Sequence, residues 1–161
     1  MTVTVGEGFN LGPGELTIGS TGTEYDVSCL VNNAVIAADK DQGDSTTKLC
    51  GTVKPGATTY TYTLSGNMDT DIGEASGFFA LSQSAAGTEL DFVFTPNTEA
   101  GAVATGTLII DPLDFGGDES GQPMTSDFEF SIVDKPTYTF GGAATVEAAG
   151  TVEHDAEPVS A

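Results

Sequence analysis

The sequence predicts a mainly β fold, a β-sandwich or barrel of about eight or nine strands with one short α-helix, one long loop and two terminal arms. Short stretches in which apolar and polar residues alternate recur along the chain, as expected of half-buried strands. Its 21 glycines and many threonines favour turns and strands over long helices. Only one segment has the spacing of an amphipathic helix.

The clearest strands are residues 58–64, 88–95 and 124–133, in which every second residue is aromatic or aliphatic. The Lys135–Pro136 dipeptide is expected to end the last of them, and another strand is expected to begin at Thr137. The opposite faces carry threonine, serine or acidic residues: Thr59, Thr61, Thr63, Glu89, Asp91, Asp127, Glu129 and Ser131. Two interpretations of this pattern stay open. It is typical of an antiparallel sheet with one solvated face, and it also fits a sheet that lines an acidic, water-filled channel.

The chain length of 161 residues suits a single domain with one core. We predict the β-sandwich domain over residues 14–140, between an N-terminal arm, residues 1–13, and a C-terminal arm, residues 141–161. The C-terminal arm is rich in alanine, glycine and glutamate and has no aromatic residue. This composition predicts a loosely attached, flexible segment.

The helix is predicted over residues 72–86. Asp71 is placed to cap its N-terminus, and Glu74 completes the spacing of a capping box. Phe78 and Leu81 then fall on one face, and Gly87 is a natural end.

Residues 39–47 contain no apolar side chain, which predicts a long exposed loop, and a strand is predicted to resume over residues 48–53. Asp39, Asp41 and Asp44 resemble the opening of a calcium loop, but the position that should hold the bidentate glutamate is Cys50. A solvated acidic loop is therefore favoured, and we expect neither a metal nor a cofactor.

The formal net charge of -20 excludes several classes of partner. Tight binding to DNA or RNA needs lysine and arginine on the phosphates, and anionic membranes repel an acidic surface. The first ten residues lack the positive charge and apolar run of a secretory signal, so we expect a cytoplasmic product.

Cys29 and Cys50 are expected to be buried thiols, although the sequence leaves a disulfide open. His154, the single histidine, lies among acidic residues of the C-terminal arm and is expected to be solvated. No nucleophile–base arrangement is visible, so we expect no enzymatic activity.

The order of these elements resembles that of the major tail tube proteins of long-tailed phages with non-contractile tails. The resemblance rests on a long polar loop (39–47), an aromatic and threonine-rich strand (58–64), a short helix, and the strands at 88–95 and 128–132. It covers roughly residues 14–140 and includes no motif as specific as a metal-ligand signature.

The resemblance implies six-membered rings of this chain, stacked into a tube inside a virion that is made in the host cytoplasm. Neighbouring subunits would share an inner barrel, with the helix outside and no contact with a membrane. The lumen would hold a tape-measure protein and later pass DNA without tight binding, and a tail terminator would cap the tube. The resemblance makes the long loop a candidate contact between rings: Asp39, Asp41, Gln42, Asp44 and Lys48. It also makes five residues candidates for the lumen: Thr59, Thr61, Thr63, Asp91 and Glu129.

Two alternatives remain at this point. An immunoglobulin-like surface or adhesin module would have a similar strand pattern, although the expected lack of a secretory signal argues against it. The tube of a contractile injection system would also fit.

Overall fold

The computed structural model describes residue 6, residues 8–141, and two backbone segments, residues 144–146 and 152–154. Most of the predicted C-terminal arm therefore lies outside the described residues. The elements are β1 (Glu15–Ser20), β2 (Thr23–Asp26), β3 (Val31–Gln42), β4 (Thr46–Thr47), β5 (Val53–Lys54), β6 (Thr58–Asp69), α1 (Phe78–Ser84), β7 (Glu89–Thr95), β8 (Val103–Ile109), β9 (Thr125–Thr139), β10 (Ala144–Val146) and β11 (Val152–His154).

A single antiparallel sheet of nine strands forms the body, and β4 and β5 make a separate two-stranded ladder. The first half of β9 pairs with β6, which pairs with β3. The second half of β9 pairs with β8, from which the sheet continues through β7 and β1 to β2. The fold class predicted from the sequence is confirmed.

A bulge in β9 bends the sheet between its two halves. The pairing of β8 with β9 shifts between Thr105 and Thr107, and Asp134 adopts a φ of 61° at this point. Extra residues on one strand of a pair increase twist and bend the strand. The Lys135–Pro136 dipeptide was predicted to end the strand, but the strand continues through the bulge because the proline occupies one of the few strand positions that need no N–H.

The core lies between the two halves of the folded sheet, and both halves contribute to it. Leu64 and Phe130 come from β6 and β9, whereas Ile18 and Phe92 come from β1 and β7, and all four are almost fully buried. Phe78 of α1 packs edge-on against Phe130, with the ring centroids 6.4 Å apart. The helix therefore closes the core with one aromatic side chain.

The helix is shorter than predicted. It spans Phe78–Ser84, whereas residues 72–77 form turns. Asp71 does cap the helix, but from seven residues upstream: its carboxylate accepts hydrogen bonds from the backbone N–H groups of Phe78 (2.7 Å) and Phe79 (2.8 Å). The role of the Asp71 carboxylate as an acceptor was predicted correctly, but the predicted capping box with Asp71 at the N-cap and Glu74 three residues later was wrong, because the N-cap residue is Gly77. The predicted first residue of the helix was wrong because residues 72–77 form turns that bring the Asp71 carboxylate back to the N-terminus of the helix.

Replacing Asp71 by alanine should lower the free energy of unfolding by about 1 kcal/mol, because two helix N–H groups lose their acceptor. Urea unfolding of the two proteins would measure the difference. Asp71→Asn keeps one acceptor oxygen and should lose less. An alanine variant as stable as the parent would contradict this role for the carboxylate.

Candidate assembly surfaces

The residues of the sheet that project away from the core form one continuous surface, called here the acidic face. Residues directly opposite each other in an antiparallel pair project from the same side. Ser65 lies opposite Glu129, and Thr107 lies opposite both Asp91 and Val133. Glu129 and Val133 are four residues apart in β9 and therefore project from the same side of the sheet. The surface thus continues from β6 across β9 and β8 to β7. It includes all five residues predicted for the lumen, Thr59, Thr61, Thr63, Asp91 and Glu129.

The acidic face carries carboxylates from five strands: Glu15, Asp26, Asp39, Asp41, Asp91, Asp127 and Glu129. Hydroxyl and amide groups hold some of them in place. Thr107 donates a hydrogen bond to Asp91 (3.0 Å), and Asn67 donates one to Asp127 (2.9 Å). Since neutral donors hold these carboxylates, their negative charge remains uncompensated at the surface.

A long β-hairpin projects from the body, and its outer part, residues 37–63, is called here the arm. Between the Asn33–Asn67 pair and the Thr47–Val53 pair, the two residues of each pair lie the same number of positions before and after Cys50. Apart from Gly56, Tyr62 and Thr63, every residue of the arm is exposed. The prediction that residues 39–47 form a loop was wrong for its first part. Residues 39–42 belong to β3 and pair with residues 58–61 of β6. Backbone pairing with another strand outweighs their polar composition.

The residues predicted to contact the next ring lie along the arm. Asp39 and Asp41 lie opposite Thr61 and Thr59, so the two predicted sets of site residues meet on the acidic face. The remaining three lie farther out: Gln42 ends β3, Asp44 follows it, and Lys48 lies in the turn at the apex. Their contact with another ring remains a prediction.

The apex of the arm, residues 48–52, is a tight turn, although the sequence predicted a strand there. The backbone N–H of Lys48 donates to the carbonyl of Thr52, and that of Gly51 donates to the carbonyl of Lys48, both at 2.8 Å. Gly51 has a φ of 84°, a conformation that glycine adopts without strain. The turn leaves Leu49 fully exposed. Gly51 is the sequence signal that could have indicated this turn.

An apolar groove lies at the other end of the hairpin, where β3 leaves the body. It consists of two neighbouring cavities of about 350 and 260 Å³ that share Ala34, Phe94 and Pro96. The larger cavity is lined by the segment around Leu11 and by residues 28–29 and 31–34, and the smaller one by the ends of β8 and β9. The partly exposed Leu11 and Val35 add apolar surface to it. A groove of this kind can bind an apolar side chain of a partner.

Both cysteines are exposed and free, so the prediction of buried thiols was wrong. Cys29 lines the groove, and Cys50 is the central residue of the apex. The hairpin ladder separates them by roughly 50 Å at the usual rise of a strand. A disulfide within one chain, which the sequence left open, is therefore excluded.

The outer edge of β3 is a fourth surface that can bind a partner. Within the described sheet, β3 pairs only with β6, although it is 12 residues long. Its other edge therefore presents a row of backbone donors and acceptors that can pair with a strand of another molecule.

Comparison with solved structures identifies the architecture. The chain matches a protein of the tail of an empty gene transfer agent (GTA) particle, reconstructed with C6 symmetry, at a TM-score of 0.56 and 15% identity. The match covers 78% of this chain and 94% of that one. This chain therefore shares the fold of a protein in the tail of that particle. The resemblance to tail tube proteins predicted from the sequence is confirmed in this respect.

A second solved structure contains a protein with the same fold. The chain matches a protein in the virion of the native gene transfer agent at a TM-score of 0.52 and 16% identity, over 77% of this chain and 95% of that one. No family model and no curated protein matches the sequence. At such identities the shared fold is visible only in three dimensions.

The described residues contain no cluster of histidine, cysteine and carboxylate groups that could hold a metal ion. Among the helices of the described chain, none has the length and apolar character needed to cross a membrane.

Proposed function

We propose that this protein is the structural subunit of a phage-like tail tube, in which six copies form a ring and rings stack. The observation that carries the proposal is the fold shared with a tail protein whose assembly has C6 symmetry. A heterologous interface with a six-fold rotation closes a ring, and a second heterologous interface along the axis extends the stack. The subunit acts by assembling, and needs no catalytic group.

Sheet pairing between neighbouring subunits is the proposed ring contact. The free edge of β3 offers a ladder of up to 12 residues, and closing such edges into a barrel removes the hazard of uncontrolled strand addition. Ring closure therefore satisfies the backbone groups that a lone subunit leaves open.

The acidic face is the proposed wall of the channel. Carboxylates distributed over it, including Asp91 and Glu129, would repel the phosphates of DNA. Threonine hydroxyls of β6, which carry no charge, would keep the wall hydrated. DNA would then pass through the tube without binding tightly. A tape-measure protein would occupy this channel during assembly, and a terminator would end the stack, as the family resemblance implies.

The arm is the proposed contact between rings. An isolated two-stranded ribbon is marginally stable in water. Almost every residue of the arm is exposed to solvent in the single subunit. Docking on the next ring would cover it. Asp39, Asp41, Gln42, Asp44 and Lys48 would then lie at or beside the interface between rings.

Negative-stain electron microscopy of the purified protein at increasing salt tests the proposal. We expect rings and tubes to increase from 0.05 to 1 M NaCl, because salt shortens the Debye length to about 3 Å at 1 M and screens the repulsion between subunits of charge -20. An immunoglobulin-like binding module would stay monomeric. A protein that is monomeric at high concentration and in 1 M salt would contradict the tube proposal.

A further inference from the structure

The outer end of the arm, which includes the apex and the residues on either side of it, differs in charge and polarity from the rest of the chain. Residues 45–57 contain Lys48 and Lys54, half of the four lysines, and no acidic residue. Leu49 is 108% exposed at the turn, and Val53 beside it is 58% exposed. A protruding leucine flanked by cations is therefore offered to solvent by a chain that is otherwise strongly acidic.

The larger cavity of the groove has the complementary character. Apolar groups line much of it, among them Leu11, Leu16 and Phe94. Carboxylates surround it: Glu15 lines it directly, Asp26 accepts a hydrogen bond from Ser28 of the lining, and Asp69 accepts one from Asn32 of the lining. No lysine contributes to the cavity wall. An apolar pocket with a negative rim suits an apolar side chain next to a positive charge.

We propose that the apex of one copy binds the groove of a second copy, with Leu49 in the larger cavity and Lys48 beside its acidic rim. The inference rests on the proposed function, since it names the surface that receives the arm in the stack. The roughly 50 Å of hairpin between apex and groove prevents a chain from filling its own groove. Each copy thus has one donor and one acceptor at opposite ends, and a contact of this kind propagates without limit.

The contact would bring two thiols of different copies together. Cys50 follows Leu49 directly, and Cys29 lines the cavity that Leu49 would enter. The side-chain hydroxyl of Thr52, followed by its backbone amide, lowers the pKa of the Cys50 thiol, which favours the reactive thiolate. The native cysteines are therefore a built-in reporter of the contact.

Cross-linking of assembled tubes with diamide tests the contact. One Cys50 thiol and one Cys29 thiol lose two electrons and two protons to diamide, which becomes a hydrazine, and a disulfide forms between copies. Since every chain supplies both thiols, non-reducing gels should show a ladder well beyond dimers. Cys29→Ser and Cys50→Ser should each remove the ladder. A product that stops at dimers, or no product from visible tubes, would overturn the inference.

Leu49→Asp provides a second measurement that does not depend on thiol chemistry. Losing the burial of a leucine should reduce the amount of stacked tube at least about tenfold, while single rings persist. Thr46→Asp adds the same charge to the arm outside the apex and serves as the matched control. Equal tube yields for the two variants would overturn the inference but leave the tube function intact. Failure of the parent protein to form rings or tubes under any condition would instead refute the proposed function.

Discussion

Replacing residues 44–56 by an Asn-Gly turn is expected to abolish tube growth without unfolding the subunit. Gly43 and Ala57 are joined by a backbone hydrogen bond of 2.9 Å, so a two-residue turn can close the hairpin between them. The deleted residues are nearly all exposed and supply nothing to the core. The melting temperature should therefore stay within a few degrees, since surface changes usually alter stability by about 0.5 kcal/mol or less.

Electron microscopy and analytical ultracentrifugation would measure the outcome, with rings as the largest expected species. A variant with residues 118–121 replaced by Asn-Gly is the matched control, because that segment is also exposed and irregular but lies outside the arm. It should still form tubes. Tubes of normal length from the arm variant would show that stacking uses other surfaces.

Truncation of Phe130 to alanine is expected to destabilise the subunit by about 3–5 kcal/mol. The ring is 1% exposed and packs edge-on against Phe78, and it stacks on Phe128 with the centroids 5.3 Å apart. Its removal would leave a cavity where the helix meets the sheet. Domains of this size are typically stable by only about 5–15 kcal/mol, so a large share of the folded state would be lost. Assembly would fail as a consequence.

Denaturant unfolding followed by circular dichroism would give this difference. Val93→Ala removes a side chain that is 42% exposed on the acidic face, and should change stability by about 0.5 kcal/mol or less. If the two substitutions had similar effects, the assignment of the core to this side of the sheet would be wrong.

Local patterns determined the elements with a strong two-residue period. The strands around Tyr62, Phe92 and Phe130 were predicted because alternation fixes which side chains are buried, whatever the partner strand is. The same alternation identified the Thr59, Asp91 and Glu129 faces as polar. The expectation that the protein binds neither nucleic acid nor anionic membranes tightly came from the net charge, which needs no coordinates, and it remains a prediction.

Pairing between distant segments decided the rest. Residues 39–42 became strand because residues 58–61 lie opposite them, and the bulge at Asp134 let β9 serve both halves of the sheet. The exposure of Cys29 and Cys50 followed from their places at the two ends of the hairpin. Such features depend on contacts between residues far apart in the chain, and a strand's own side chains do not specify its partner.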